Sequence, residues 1–119
     1  MQTASKPEPP PVPGKKSVTG DLLRKLGTLD FGIPEEDVKD MANLVRQREK
    51  YGIGIYGTTL QTYNGRDCIE DTSQEIGDCV QYYNQAIMEK RDRTLLRKRL
   101  KTAMRVLEVL ESEEEKNGG

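Results

Sequence analysis

The chain has 119 residues, a formal net charge of −1, and nearly equal shares of hydrophobic (34%) and charged (33%) side chains. That length holds one domain with a thin core, and the near-neutral balance gives no overall pull towards nucleic acid or a membrane surface. Histidine is absent, so Ser-His-Asp and Cys-His nucleophile schemes are excluded, and any chemistry falls to carboxylates, Lys, Tyr or an oxygen-bound metal ion.

Residues 1–16 read as a disordered, proline-rich tail. Pro7, Pro9, Pro10, Pro11 and Pro13 favour extended polyproline conformation and withhold helix donors. This start has no apolar h-region, and no run of about 18 apolar residues occurs anywhere. The expectation is a reducing cytoplasm and no membrane. Residues 17–116 then form a single helical domain, and 117–119 a disordered end.

From Asp21 the segment DLLRKLG makes a short amphipathic helix with Gly27 as its stop. A second helix starts at Pro34, whose ring suits the first helical position, with Glu35, Glu36 and Asp37 opposing the positive end of the dipole. Its core stripe is Val38, Met41 and Val45 with Leu44 beside it, and it is expected to stop near Lys50. Residues 51–65, YGIGIYGTTLQTYNG, combine four glycines with β-branched side chains. They read as a Gly-rich loop, either a short hairpin or a cover over a pocket, with no phosphate-loop pattern.

A third helix runs from Arg66 or Asp67 to about Glu89, with Ile69, Ile76, Val80, Tyr83 and Ile87 on one apolar face. Cys68 and Cys79 lie on it roughly 16 Å apart by helical rise, too far to pair, and read as small buried apolar groups. Tyr82 and Tyr83 read as packing residues. The last element, residues 91–115, is a long helix whose Leu96, Leu100, Ala103, Leu107 and Leu110 make a heptad seam. Its basic block, Arg91 to Arg105, precedes an acidic end and lacks aromatics, so nucleic acid is not the expected partner. Antiparallel pairing of its basic half with the acidic face of Asp67 to Asp78 on the third helix, or with another subunit's acidic tail, suits the block better. The fold class is all-α, a helical hairpin or bundle completed by oligomerisation.

The chemistry-bearing feature is NGRDCIEDTSQEIGDC, residues 64–79. On a wheel advancing about 100° per residue, Asp67, Asp71, Glu75 and Asp78 fall within an arc of about 80°, away from the apolar stripe. Three like-charged neighbours cost a few tenths of a kcal/mol each unless compensated. Either the arc is an acidic surface awaiting a basic partner, or it holds Mg²⁺ or Mn²⁺ through hard oxygen ligands, waters and substrate phosphates. A second helix must close such a site, with Glu36, Asp40 and Glu49 as candidates. Arg66 stands at the anion-attracting end of the helix, and Lys50 lies nearby as a second phosphate contact. Asn64 reads either as a base or sugar contact or as part of a plain Asn-Gly turn.

Residues 49–87 resemble small helical phage and prophage proteins carrying a YGTxLQxxNGRDAxxDAxxEAxDxxxYLxQ segment, which are compared with the MazG-like all-α nucleoside triphosphate pyrophosphohydrolases. The resemblance implies Mg²⁺ bound by an ExxE pair on one helix and an ExxD pair on the next, and cleavage of the α–β phosphoanhydride. Glu75 and Asp78 match the ExxD pair and so carry the implied catalytic role, with Asp67 and Asp71 as further metal ligands. A clear preceding ExxE is missing. The implied location is the host cytoplasm. The alternatives are a nucleotide sponge without turnover, or a non-enzymatic helical interaction protein such as a phage accessory, adaptor or virion-associated component.

Overall fold

The computed structural model describes residues 10–11 and 14–117. The expectations for 1–9, 12–13 and 118–119 lie outside them. The described chain is all-α, with four helices in order: α1 (Val18–Thr28), α2 (Glu35–Tyr56), α3 (Cys68–Met88) and α4 (Thr94–Lys116). Among the described residues the one piece of β pairing is an isolated antiparallel bridge between Ser17 and Gln61.

Each helix starts where its capping chemistry allows. Ser17 begins α1 a turn earlier than Asp21, its hydroxyl accepting from the Gly20 N–H at 2.9 Å. Pro34 precedes α2, with Glu35, Glu36 and Asp37 in the first turn. Asp67 caps α3 by accepting from the Ile69 and Glu70 N–H groups at 3.0 and 3.3 Å.

The second helix does not stop near Lys50. It continues through Tyr51, Gly52, Ile53, Gly54, Ile55 and Tyr56 and ends at Gly57, in the left-handed region (φ 75°), whose N–H donates to the Ile53 carbonyl at 2.8 Å. Glycine within a helix costs about 1 kcal/mol, which is tolerable here because 51–56 hold no proline. The left-handed stop falls on Gly57, where glycine is needed. Of the Gly-rich stretch, residues 57–65 remain non-helical.

The core is small and belongs to three helices. Leu26, Phe31, Ala42 and Val106 are buried, and Leu22, Leu29, Ile33, Val38, Val45, Val109 and Leu110 pack against them. The third helix contributes nothing to it: none of its residues is buried. The apolar face expected to be core is open at Ile69, Ile76, Val80 and Ile87, because none of the other described helices packs closely against it. Cys68 and Cys79, expected to be buried, are exposed for the same reason.

The chain before α1 is tied to the connection before α3. Lys15 N–H donates to the Thr62 carbonyl (3.1 Å), Thr62 N–H to the Lys16 carbonyl (2.8 Å), and Val18 N–H to the Leu60 carbonyl (2.8 Å). Gly14 N–H adds a bond to Gln61 Oε1 at 2.7 Å. Glycine is required at position 14 because a Cβ there would run into the Thr62 carbonyl. Among the described residues no helix is long and apolar enough to cross a membrane.

Candidate functional site

Two clefts beside α3 are lined by carboxylates of the ridge. The first, of about 660 Å³, lies between the C-terminal half of α2 and the N-terminal half of α3, roofed by residues 58–60. Arg48, Glu49, Gly52 and Tyr56 line it from α2, and Asp71, Gln74 and Glu75 from α3. Asn64 and Arg66 line it as well, and Met41, Leu44 and Val45 of α2 with Val18 and Leu22 of α1 supply an apolar floor. The second cleft, of about 370 Å³, opens between α3 and α4 and is lined by Glu75, Asp78, Tyr82, Tyr83 and Arg99 among others.

The four carboxylates of the ridge are thereby divided. Asp67 is occupied as the cap of its own helix. Asp71 takes a two-pronged bond from Arg66, whose Nε and Nη2 donate to separate oxygens at 3.1 and 2.8 Å. Such fork-to-fork pairing is the strong form of the interaction, and both side chains are partly buried. Glu75 lines both clefts, whereas Asp78 lines only the second.

That arrangement answers whether the residues fit a metal ion. Among the described residues no three carboxylate or thiol groups gather closely enough to hold one. The implied set of Asp67, Asp71, Glu75 and Asp78 is not assembled as a resident metal centre, because Asp67 caps its own helix, Asp71 is forked to Arg66, and only Glu75 and Asp78 share a cleft.

Of the three candidates to face the ridge, Glu49 lines the first cleft with Asp71 and Glu75. Its Oε2 accepts from Thr59 Oγ1 at 2.9 Å, which fixes it against the roof. Asp40 is bound instead by Arg99, and Glu36 is exposed outside both clefts. Lys50 is exposed and does not line the cleft. Arg48 takes that place on the wall.

Asn64 is buried, with 7% of its surface exposed, and its Oδ1 accepts from the Arg66 N–H at 3.1 Å. It therefore shapes the turn as well as lining the cleft. The left-handed residues of this turn are Tyr63 (φ 54°) and Gly65 (φ 83°), not Asn64. Tyr63 points to solvent, with the Lys15 ammonium 5.3 Å from its ring centre.

Arg48 and Tyr56 were not singled out by sequence reasoning, yet a signal was present. Met41, Val45, Arg48, Gly52 and Tyr56 step four, three, four and four, so one face of α2 runs unbroken past Lys50. Reading residues 51–56 as loop hid it.

Comparison with known proteins adds no identification: no family model matches this sequence, and no significant match is found to a curated protein or a solved structure.

Proposed function

We propose that this chain is a nucleotide-binding helical protein of the MazG-like kind that works as a homo-oligomer. The phosphates enter the cleft between α2 and α3, and Mg²⁺ (or Mn²⁺) arrives on them as part of the ligand. The observation that carries this reading is the meeting of Glu49 from α2 with Glu75 from α3 in one cleft that also holds Arg48 and Arg66.

Each part matches a need of such a ligand. The volume falls in the range of small-molecule sites, roughly 300–1,000 Å³. Guanidinium groups suit phosphate oxygens in forked geometry, and Arg66 lies just before the positive N-terminal end of α3. The apolar floor and the Tyr56 ring offer a face to a base. Glu49 and Glu75 can accept from sugar hydroxyls or from water carried by the cation. Pyrophosphohydrolase turnover is the finer form of the proposal, with Glu75 of the ExxD pair lining the phosphate cleft and Asp78 lining the neighbouring one.

Calorimetric titration with deoxynucleoside and ribonucleoside triphosphates, with Mg²⁺ present, tests it. The chain is expected to bind at least one of them, and Glu49→Gln and Arg66→Ala each to weaken binding about tenfold or more, as lost charge-assisted contacts do. Absence of binding by every triphosphate overturns the reading. Assay of released pyrophosphate separates an enzyme from a nucleotide sponge.

The second reading, a non-enzymatic interaction protein such as a phage accessory, adaptor or virion-associated component, is favoured by the open apolar faces of α3 and α4. Large exposed patches of this kind mark partner surfaces.

A further inference from the structure

The third helix stands as an unpartnered surface. Ile69 is 73% exposed, Ile76 60%, Val80 64% and Ile87 47%. Across the gap, Leu96, Leu100, Met104 and Leu107 of α4 are exposed as well. Between the two helices lies a cleft of about 760 Å³ walled by Ile76, Cys79, Val80, Tyr83, Leu100 and Met104. One face of α4 packs on the core through Thr102 and Val106, and among the described residues nothing covers this second apolar face.

We infer that a second copy of this chain covers this face, so that two α3–α4 pairs close into a four-helix bundle about a two-fold axis. The inference rests on the oligomeric part of the reading above and supplies its surface.

Three observations select a second copy. The first is periodicity: Ile76, Val80, Tyr83 and Ile87 step four, three and four, and so do Leu96, Leu100, Ala103 and Leu107. Both walls thus carry the same seam, which accepts a helix of matching period, and a self-complementary surface is what a two-fold contact requires.

Charge is the second. Lys98 and Arg99 are engaged by Asp37 and Asp40. Arg97 and Lys101 on α4 have no carboxylate within ion-pair distance, and Glu75 and Asp78 on α3 have no such cation, among the described residues. Each copy therefore presents an acidic α3 and a basic N-terminal half of α4, and an isologous contact that sets one against the other matches both at once.

The third is size. The helices have 21 and 23 residues. At about 1.5 Å rise each spans over 30 Å, and two helices each about 10 Å across make a face about 20 Å wide, so it covers roughly 600 Å² per copy. Doubled, that reaches the roughly 1,200 Å² at which stable interfaces begin.

Sedimentation equilibrium of the full chain without nucleotide decides it. Twice the chain mass is expected across the micromolar range, and Val80→Asp with Leu100→Asp should give a monomer. Charge exchange covers the case in which that variant fails to fold. Glu75→Lys with Asp78→Lys, or Arg97→Glu with Lys101→Glu, should weaken the dimer about tenfold or more, and all four together should restore most of it. A monomeric wild type, or a dimer indifferent to both sets, overturns the inference. A dimer that binds no nucleotide leaves this inference standing and removes only the nucleotide reading.

Discussion

Arg99 forks onto Asp40, its Nε and Nη2 each donating at 3.0 Å to a different carboxylate oxygen. The pair joins α4 to α2 across 59 residues of sequence. One residue earlier Lys98 reaches Asp37 at 3.1 Å, and Arg105 Nε donates to the Phe31 carbonyl at 2.7 Å. The basic block therefore meets the acidic first turns of α2, and the ridge on α3 is left to Arg66 and to whatever enters the clefts. The expected intrachain pairing of this block with the ridge is replaced by pairing with α2.

The Arg99 pair predicts an acid sensitivity. Hydrogen bonding from Arg99 holds the Asp40 carboxyl below its usual 3.8, with the charge of Lys98 adding to the effect. A lowered folded pKa contributes stability that is fully present above 3.8 and is lost as pH falls through the folded value. Asp40→Asn should lower Tm by a few degrees at neutral pH and make the most acidic part of the Tm-against-pH curve flatter than in wild type. Thermal melts over that range check it, and parallel curves would count against the pairing.

The core prediction concerns Phe31, which is 2% exposed and sits in the turn between α1 and α2. Phe31→Ala should cost about 3–5 kcal/mol, the usual loss for emptying a buried aromatic site. A protein this small has little more than that to lose, so denaturant unfolding should show a strongly reduced midpoint or no folded baseline.

At the N-terminal side, Gly14→Ala removes the close approach that lets residues 14–17 lie against 60–62. Each backbone bond contributes about 0.5–1.5 kcal/mol, and losing them together should speed amide exchange at Val18 and Thr62 by about tenfold or more. Exchange in α4 should stay unchanged. Uniform protection in both chains would mean that the strap tolerates a methyl group there.

Helix period and capping made most of the fold legible. Pro34 with its acids and Asp67 fall where local chemistry puts them, whereas α4 packs on the core through Thr102 and Val106 and leaves Leu96, Leu100 and Leu107 of its heptad seam exposed. Two features were not legible, for separate physical reasons. Gly52 and Gly54 have no need of a left-handed backbone, so their presence gave no true stop signal. The apolar stripe of α3 says that a face seeks cover but not which chain supplies it. At the site, Glu75, Asn64, Arg66 and Asp71 could be named from the sequence because they cluster in one segment. Arg48 and Tyr56 reach the cleft through the extended phase of α2, and Glu49 is chosen over Asp40 only because Arg99 claims the latter.

The last prediction follows from the isolation of α3. With no buried residue, this helix draws little support from the core, and a lone helix of about 20 residues with Thr72, Ser73, Gly77, Val80 and Asn84 in its interior is marginal in water. Its own supports are the Asp67 cap and the Arg66–Asp71 fork. In the monomeric Val80→Asp, Leu100→Asp background, α3 should therefore melt before the rest, giving two circular-dichroism transitions where the dimer gives one. Adding Asp67→Ala should weaken the first transition by about 0.5–2 kcal/mol and leave the second in place. The thiol of Cys79 reports the same event, since it faces the α3–α4 cleft: with Cys68→Ser removing the other thiol, it should label slowly in the dimer and fast in the monomer. One cooperative transition in the monomer would show that α3 is held by the core after all.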